Sequence, residues 1–366
     1  MRRLLYVTPP LHAPGRGGRE MLANLHWQCL LDLLGKHAAM HVLNPAPISG
    51  LVSTIAGLHG EIDGATMAAG QTLIERLERE GIARLFLNGS NLGHLAKMVK
   101  QALPMVEVLT FFHNVETRFF LGALRQRPTP RALAILAANR AAERKAVRFS
   151  NRLIMLNARD AADVRRLHGR AGTDLLPMAL GEPRAAIAGP PPEESDYLLF
   201  VGGGFYANKA GIRWFVREVM PNISLSLCIV GRGLEPLRAE YDGNPRVRVI
   251  GAVDDLVPWY RHAIAVIAPI FDGSGMKTKV AEALMHGKAI VGTREAFEGY
   301  EEASGVLGPW CEDRDGFIRA LHAIEATPPL PFDPARRALY DSRYSADAAR
   351  RRLASILAVN TPGAKS

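Results

Sequence analysis

The chain has 366 residues, 48% of them hydrophobic, and a net charge of +9, which is enough apolar material for two cores and rules out a disordered composition. Its three cysteines, Cys29, Cys228 and Cys311, stand in no CxxC or metal-ligand spacing, which sets aside a disulfide scaffold or zinc module and fits a reducing compartment. The apolar run after Met1-Arg-Arg ends at Val7, too short for a secretory leader, and no 18-residue apolar window follows, so a cytoplasmic chain with no spanning segment is expected.

In chain order, Leu4-Leu-Tyr-Val-Thr8 reads as a first buried strand, followed by the glycine loop Pro9–Gly18 and an amphipathic helix from Glu20 to Leu34. Further strands are expected at His41-Val-Leu, Leu85-Phe-Leu, Val106–Phe112 and Arg152–Leu156, with a helix from Ala132 to Phe149. Gly189-Pro-Pro-Pro-Glu-Glu-Ser195 is the clearest linker. A second series follows: Tyr197–Val201, Leu225–Val230, Val247–Ile250, Ala265–Ile270 and Ala289-Ile-Val, then a Pro-rich stretch at 327–334 and a terminal helix from Ser345 to Val359. Short apolar strands alternating with helices predict doubly wound parallel sheets. The expected division is residues 1–185, 186–344 and a terminal helix with its tail, 345–366. Ligands of such sheets bind at the carboxyl ends of the strands, which makes the turns there the informative ones.

The most informative turn is Gly273-Ser-Gly-Met-Lys-Thr-Lys279, placed between an apolar strand and a helix that carries Glu282. Gly273 and Gly275 free backbone N–H groups to face a ligand, and a helix N-terminus favours negative charge. Lys277 and Lys279 add cations where the helix dipole disfavours them, as an anionic ligand such as a diphosphate would require. Glu282, one turn further on, suits a sugar hydroxyl. The bland alternative is a solvated turn with two snorkelling lysines. Gly202-Gly-Gly-Phe-Tyr-Ala207 formally matches a dinucleotide fingerprint, yet Val230-Gly-Arg-Gly233 ends the next strand without the acid that would hold a ribose. Asp254-Asp255 lacks a third ligand at metal spacing, and Trp214 and Phe215 read as core.

Charge is uneven. Residues 1–185 hold 24 Lys and Arg against 14 Asp and Glu, whereas the remainder holds 21 against 22. Between Arg118 and Arg170 there are 13 basic and 3 acidic residues, with Phe119 and Phe120 at one end. This basic face suits an anionic membrane or a phosphate-bearing acceptor, while no nucleic-acid-binding motif accompanies it.

Taken together, Phe200–Phe215, Cys228-Ile-Val-Gly-Arg-Gly233, Gly251-Ala-Val-Asp-Asp-Leu256 and Gly273–Lys288 resemble, in order, retaining nucleotide-sugar-dependent glycosyltransferases of the GT-B fold, family 4 or group 1. The first half resembles them more loosely, through its glycine loop, Asn88-Gly-Ser-Asn-Leu-Gly93, Phe112-His-Asn-Val-Glu116 and Leu156-Asn-Ala-Arg-Asp160, in the manner of branches that build surface polysaccharides. The resemblance implies two Rossmann-like domains facing a central cleft, with the terminal helix crossing back to the first. It implies transfer of a sugar from a nucleoside diphosphate sugar, UDP-, GDP- or other, to a lipid-linked saccharide or polysaccharide, with retention and without a metal or other cofactor, on the inner membrane face. Glu282 would hold the ribose, Lys209 would lie beside the phosphates and His113 near the reacting sugar. Gly17, Gly18, Gly203, Gly204, Asn208, Arg232, Val253, Ser274, Gly275, Met276, Lys277 and Lys279 would line the donor, with Val253 meeting the base. Ser274 replaces the first acid of the E-x7-E motif, and Gly204 replaces a frequent arginine, for which Lys277 or Lys279 would compensate. A nucleotide-sugar 2-epimerase and a catalytically silent scaffold are the alternatives.

Overall fold

The computed structural model describes residues 2–12, 17–44, 50–182 and 196–359. The linker at 189–195, the boundary at 185/186 and Gly15 lie outside the described residues. The chain divides into two compact units, Met1–Pro177 with Ala349–Ser366, and Met178–Ala348.

The first unit is a six-stranded parallel sheet ordered β2-β1-β3-β4-β5-β6, from β1 (Leu4–Thr8), β2 (Ala38–Val42), β3 (Arg84–Asn88), β4 (Glu107–Phe112), β5 (Arg152–Met155) and β6 (Asp174–Leu175). Its helices are α1 (Gly18–Leu34), α2 (Gly50–Leu58), α3 (Met67–Arg79), α4 (Gly93–Ala102), α5 (Glu116–Gln126), α6 (Pro130–Phe149) and α7 (Ala158–His168). Every residue of β1 is buried, as expected of a central parallel strand covered on both faces. In register, Leu5 opposes Leu85 and Tyr6 opposes Phe86. Each such fully buried aliphatic or aromatic side chain contributes roughly 1.5–3 kcal/mol relative to exposure.

The second unit has a five-stranded parallel sheet ordered β11-β10-β7-β8-β9, from β7 (Tyr197–Val201), β8 (Leu227–Val230), β9 (Val247–Gly251), β10 (Ala263–Ala268) and β11 (Ile290–Gly292). The helices are α8 (Tyr206–Glu218), α9 (Leu237–Tyr241), α10 (Val257–His262), α11 (Thr278–Met285), α12 (Arg314–Ala326), α13 (Pro334–Arg343) and α14 (Ala346–Leu357). Residues of α14 from Ala349 onward belong to the first unit, where Arg84 Nη1 donates to Leu357 O at 2.9 Å and Arg152 donates to Ile356 O. Arg84 and Arg152 are in turn held by Glu107 and Asp174.

Differences from the sequence expectation lie mainly at element ends. β2 starts at Ala38 rather than His41, because a 3-10 turn at Gly35–His37 delivers the chain to the sheet early. The two-residue β6 escapes periodicity altogether. Among the described residues no helix is long and apolar enough to cross a membrane.

In the first sheet the chain goes from β1 outward to β2 and returns on the other side as β3; in the second it leaves β7 for β8 and β9 and returns as β10. The β1/β3 and β7/β10 pairs are therefore topological switch points, whose carboxyl ends are where open α/β sheets bind ligands.

Candidate functional site

At the second switch point three glycine-bearing loops are joined through their backbones. Gly202 N donates to Val230 O at 3.0 Å, Gly204 N to Arg232 O at 2.9 Å and Gly231 N to Gly251 O at 2.7 Å. The Glu235 carboxylate closes the group, accepting from Gly233 N at 2.7 Å and Ala252 N at 3.1 Å. Its own backbone N–H, together with those of Ala252 and Gly233, holds its pKa below the usual carboxylate range. A Cβ on Gly204 would lie 2.1 Å from Gly233 O, which is the physical reason that no arginine stands at this position. Arg232, between Gly231 and Gly233, is exposed, and its side chain makes no hydrogen bond or ion pair among the described residues. Gly203 is exposed at the loop's tip.

Opposite, Gly273 to Met276 form the turn before α11, all four buried. Gly273 and Gly275 adopt positive φ, 147° and 68°, which a Cβ would resist. The N–H groups of Gly275 and Met276 meet no acceptor among the described residues, leaving two buried donors beside a helix N-terminus. Met276 Sδ accepts from Met178 N at 3.3 Å, and Ser274 is buried.

The lysines of this turn diverge. Lys277 pairs with Glu295 at 2.9 Å and donates to Gly275 O at 3.0 Å. Lys279 turns inward: its ammonium lies 4.4 Å from the Phe200 ring centroid and donates to Asn208 Oδ1 at 2.9 Å, while Asn208 Nδ2 donates to Gly203 O at 2.7 Å. Burial, assisted by the charge of Lys277, pulls the Lys279 pKa down to about 7. Lys279 therefore braces the glycine loop from beneath through Asn208, while the side chain of the half-buried Lys209 on α8 makes no hydrogen bond or ion pair among the described residues.

Glu282 is buried and accepts from Tyr260 Oη at 2.8 Å. Burial raises its pKa, against the opposing pull of Tyr260 and Lys279. Tyr260 stacks on His286 at 4.7 Å, which fixes the hydroxyl's direction. Val253 is half-buried and its backbone makes no hydrogen bond among the described residues. Asp255 Oδ1 accepts from Val257 N at 2.9 Å, a turn-capping contact at the start of α10.

In the first unit the switch point is spanned by Asn88 Nδ2, which donates to Thr8 Oγ1 at 3.1 Å, leaving Asn88 Oδ1 to accept from His113 Nε2 at 2.9 Å. His113 meets Phe111 edge-on, and burial, with Arg19 and His26 adding to it, drives its pKa well below the usual histidine range. It is neutral at pH 7. Gly17 caps α1 in extended conformation, and Gly18 opens the helix. Arg19 follows, 3.9 Å from Asp63, with its field reaching His113 and Glu116. Glu116 opens α5, and its backbone N donates to Glu143 Oε2 at 2.6 Å; Glu143 also accepts from Thr117 N and pairs with His168 at 2.7 Å.

Burial pushes the Glu116 pKa up to about 7, with Glu143 and Asp63 adding to the rise and Arg19 and Asn114 opposing it. The folded state then holds a proton that the unfolded chain has lost, so stability falls as pH rises from the ordinary carboxylate range through about 7. Glu116→Gln has no such proton. The free energy of urea unfolding of the variant relative to the native chain should increase between pH 5 and pH 8, by at most about 3 kcal/mol. Parallel pH profiles would contradict this environment for Glu116.

Tyr260, Glu235, Glu295 and Arg19 were not singled out from sequence. Only Arg19 carried a signal, as a cation at a helix start just behind Gly17-Gly18, the same reasoning that marked Lys277.

Residues 195–325 match the family model of the group 1 glycosyl transferases. They form a group 1 glycosyl transferase domain. The glycine loops, Glu282 and the α11 turn all lie within this group 1 domain. No curated protein matches the sequence. Across the whole chain the structure is similar to sucrose-phosphate synthase from Thermosynechococcus elongatus, at 16% identity and a TM-score of 0.69, covering 98% of both chains. It is also similar to HepE from Anabaena in complex with UDP-glucose, at 12% identity and a TM-score of 0.64, covering 98% of this chain and 100% of that one. A glycosyltransferase from Rickettsia africae matches at 10% identity and a TM-score of 0.65, covering 97% of both. At these identities the likeness establishes the fold, GT-B, around the group 1 domain.

Proposed function

We propose that the protein is a retaining glycosyltransferase that moves a sugar from a nucleoside diphosphate sugar to a hydroxyl of a lipid-linked saccharide or polysaccharide. The observation that carries the reading is the α11 turn, where the unpaired buried N–H groups of Gly275 and Met276 precede a helix N-terminus and Glu282 lies one turn beyond, inside a group 1 domain. Those donors and the helix dipole suit a diphosphate, and the Glu282 carboxylate suits a ribose hydroxyl. Lys209 and Arg232, neither engaged in an ion pair among the described residues, supply positive charge for the diphosphate as it leaves. Val253, through its backbone, meets the base. In the first unit Gly17, Gly18 and His113 are the proposed contributors, the imidazole of His113 offering polarity rather than charge.

In the reaction the acceptor oxygen bonds to the anomeric carbon on the face from which the diphosphate departs, the carbon to diphosphate bond breaks, and the acceptor proton passes to the departing phosphate oxygen. Because charge on that oxygen is neutralised by side chains and backbone, the rate should be unchanged by EDTA. The reading is supported by the UDP-glucose held by the similar HepE structure, and UDP-glucose is the first donor to test.

The deciding test is calorimetry against UDP, GDP, ADP and their sugar conjugates, coupled to release of free nucleoside diphosphate in the presence of acceptor. Selective binding of one nucleotide and acceptor-dependent release are expected. Interconversion of the nucleotide sugar with its epimer, with no acceptor consumed and no free nucleoside diphosphate formed, would indicate the epimerase, and binding with no turnover the scaffold. Lys209→Ala should weaken the bound nucleoside diphosphate roughly tenfold, the loss of one charge-assisted contact.

A further inference from the structure

Much of the basic run from Arg118 to Arg170 is consumed internally. Arg118 and Arg166 pair with Asp163, Arg152 pairs with Asp174, and Arg170 donates to the carbonyls of Val147, Ser150 and Asn151. The cations at the end of α6 behave differently. Arg144, Lys145 and Arg148 line a cavity of about 310 Å³ with Lys97 of α4 and His59 at the end of α2, over walls formed by Leu58, Ala141 and Phe149. The cavity lies wholly in the first unit, away from the strand ends described above.

Among the described residues its cations pair with no acid. The side chains of Lys97 and Arg144 make no hydrogen bond or ion pair among the described residues, and Arg148 rests on the Phe149 ring at 5.4 Å. Lys145 reaches only neutral partners, the His59 carbonyl and His94 Nδ1 at 3.0 Å. The groups around Lys145 are Lys97, His59, His94 and a single acid, Glu61, which forms no ion pair with it. Burial, with the charge of Lys97 adding to it, depresses the Lys145 pKa. A cluster that repels itself is maintained at a cost unless an anion occupies it.

We propose that this cavity binds a phosphate group, with the forked guanidinium of Arg144 and the ammonium groups of Lys97 and Lys145 on its oxygens and the organic substituent against Leu58 and Phe149. The site is separate from the nucleotide-binding turn and stands whether or not the transferase reading does. Two sources share this chemistry, a soluble phosphate ester and the headgroup of a lipid, and the walls of Leu58 and Phe149 suit an apolar substituent on either.

The test is calorimetry of the full chain with inorganic phosphate and with dihexanoyl phosphatidic acid, repeated on Lys97→Gln/Arg144→Gln. Saturable binding that the double variant weakens roughly tenfold or more is expected. Equal affinity for the two probes assigns the site to soluble phosphates, and tighter binding of the phosphatidic acid assigns it to a lipid headgroup. Neither altered residue holds another, so the melting temperature should be unchanged; Arg148→Gln, on an exposed side chain, serves as the independent second variant. Absence of saturable binding by either probe, or native affinity in both variants, overturns the proposal.

Discussion

Replacing Glu282 with glutamine should weaken nucleotide binding by about 2 to 3 kcal/mol, roughly a hundredfold in Kd, while leaving the fold intact. Glutamine keeps the shape and an oxygen to accept from Tyr260 Oη, the 2.8 Å bond that orients the side chain. What it removes is the negative charge that strengthens a hydrogen bond from a ribose hydroxyl. The stability effect has the opposite sign. Because burial raises the Glu282 pKa, the folded state resists the ionised carboxyl, and an amide avoids that cost. The unfolding free energy of Glu282→Gln relative to the native chain should therefore rise with pH above the ordinary carboxylate range, even as binding is lost. Calorimetry with the preferred nucleoside diphosphate, paired with urea unfolding at two pH values, separates the effects. Native affinity in a folded variant would remove Glu282 from the site. Tyr260→Phe tests the same geometry from the other side. It keeps the stacking on His286 but frees the carboxylate to rotate, so a smaller loss of affinity is expected.

The fold was legible in the sequence because parallel strands buried on both faces leave continuous apolar runs, and Leu4–Thr8 and Tyr197–Val201 coincide with β1 and β7. The turn at 273–279 was legible for another reason: glycines and cations before a helix break local rules, and such breaks gather at binding sites. The fates of its lysines were not legible. Whether Lys279 faces a ligand or the core depends on the pocket between Phe200 and Asn208, which comes from strands and helices some 70 residues away in sequence. The same holds for Tyr260, whose link to Glu282 is tertiary and follows no helical spacing. In the basic segment, composition gave the charge but not its division between internal pairs and the cavity beside α4. That division depends on where Asp163, within the segment, and Asp174, just beyond it, fall, and the count of acids and bases does not announce which cations they will neutralise.

Alanine at Gly231 should destabilise the second unit by at least about 3 kcal/mol, a large fraction of the stability of an ordinary domain. Gly231 has φ +140°, a region side-chain-bearing residues rarely enter, and a Cβ there would lie 1.8 Å from Gly202 O. The obstacle is backbone, so no rotamer change relieves it. The first glycine loop would have to withdraw, breaking the Gly202 to Val230 and Gly204 to Arg232 hydrogen bonds that hold it. Gly203→Ala is the matched control: its Cβ would meet nothing nearer than Phe205 Cδ1 at 3.6 Å, and its unfolding midpoint should shift little. Urea unfolding of the two variants reads the contrast directly, and equal stabilities would refute the interlocked arrangement. The same interlock explains why the domain does without an arginine at 204. A side chain there would part the loops, so positive charge must come from positions whose backbone is free to carry one, Arg232 at the tip of the second loop and Lys209 on α8. A nucleotide bound to Gly231→Ala, if any of the variant folds, should therefore lose affinity beyond what Arg232→Ala alone removes, because loop geometry and charge fail together.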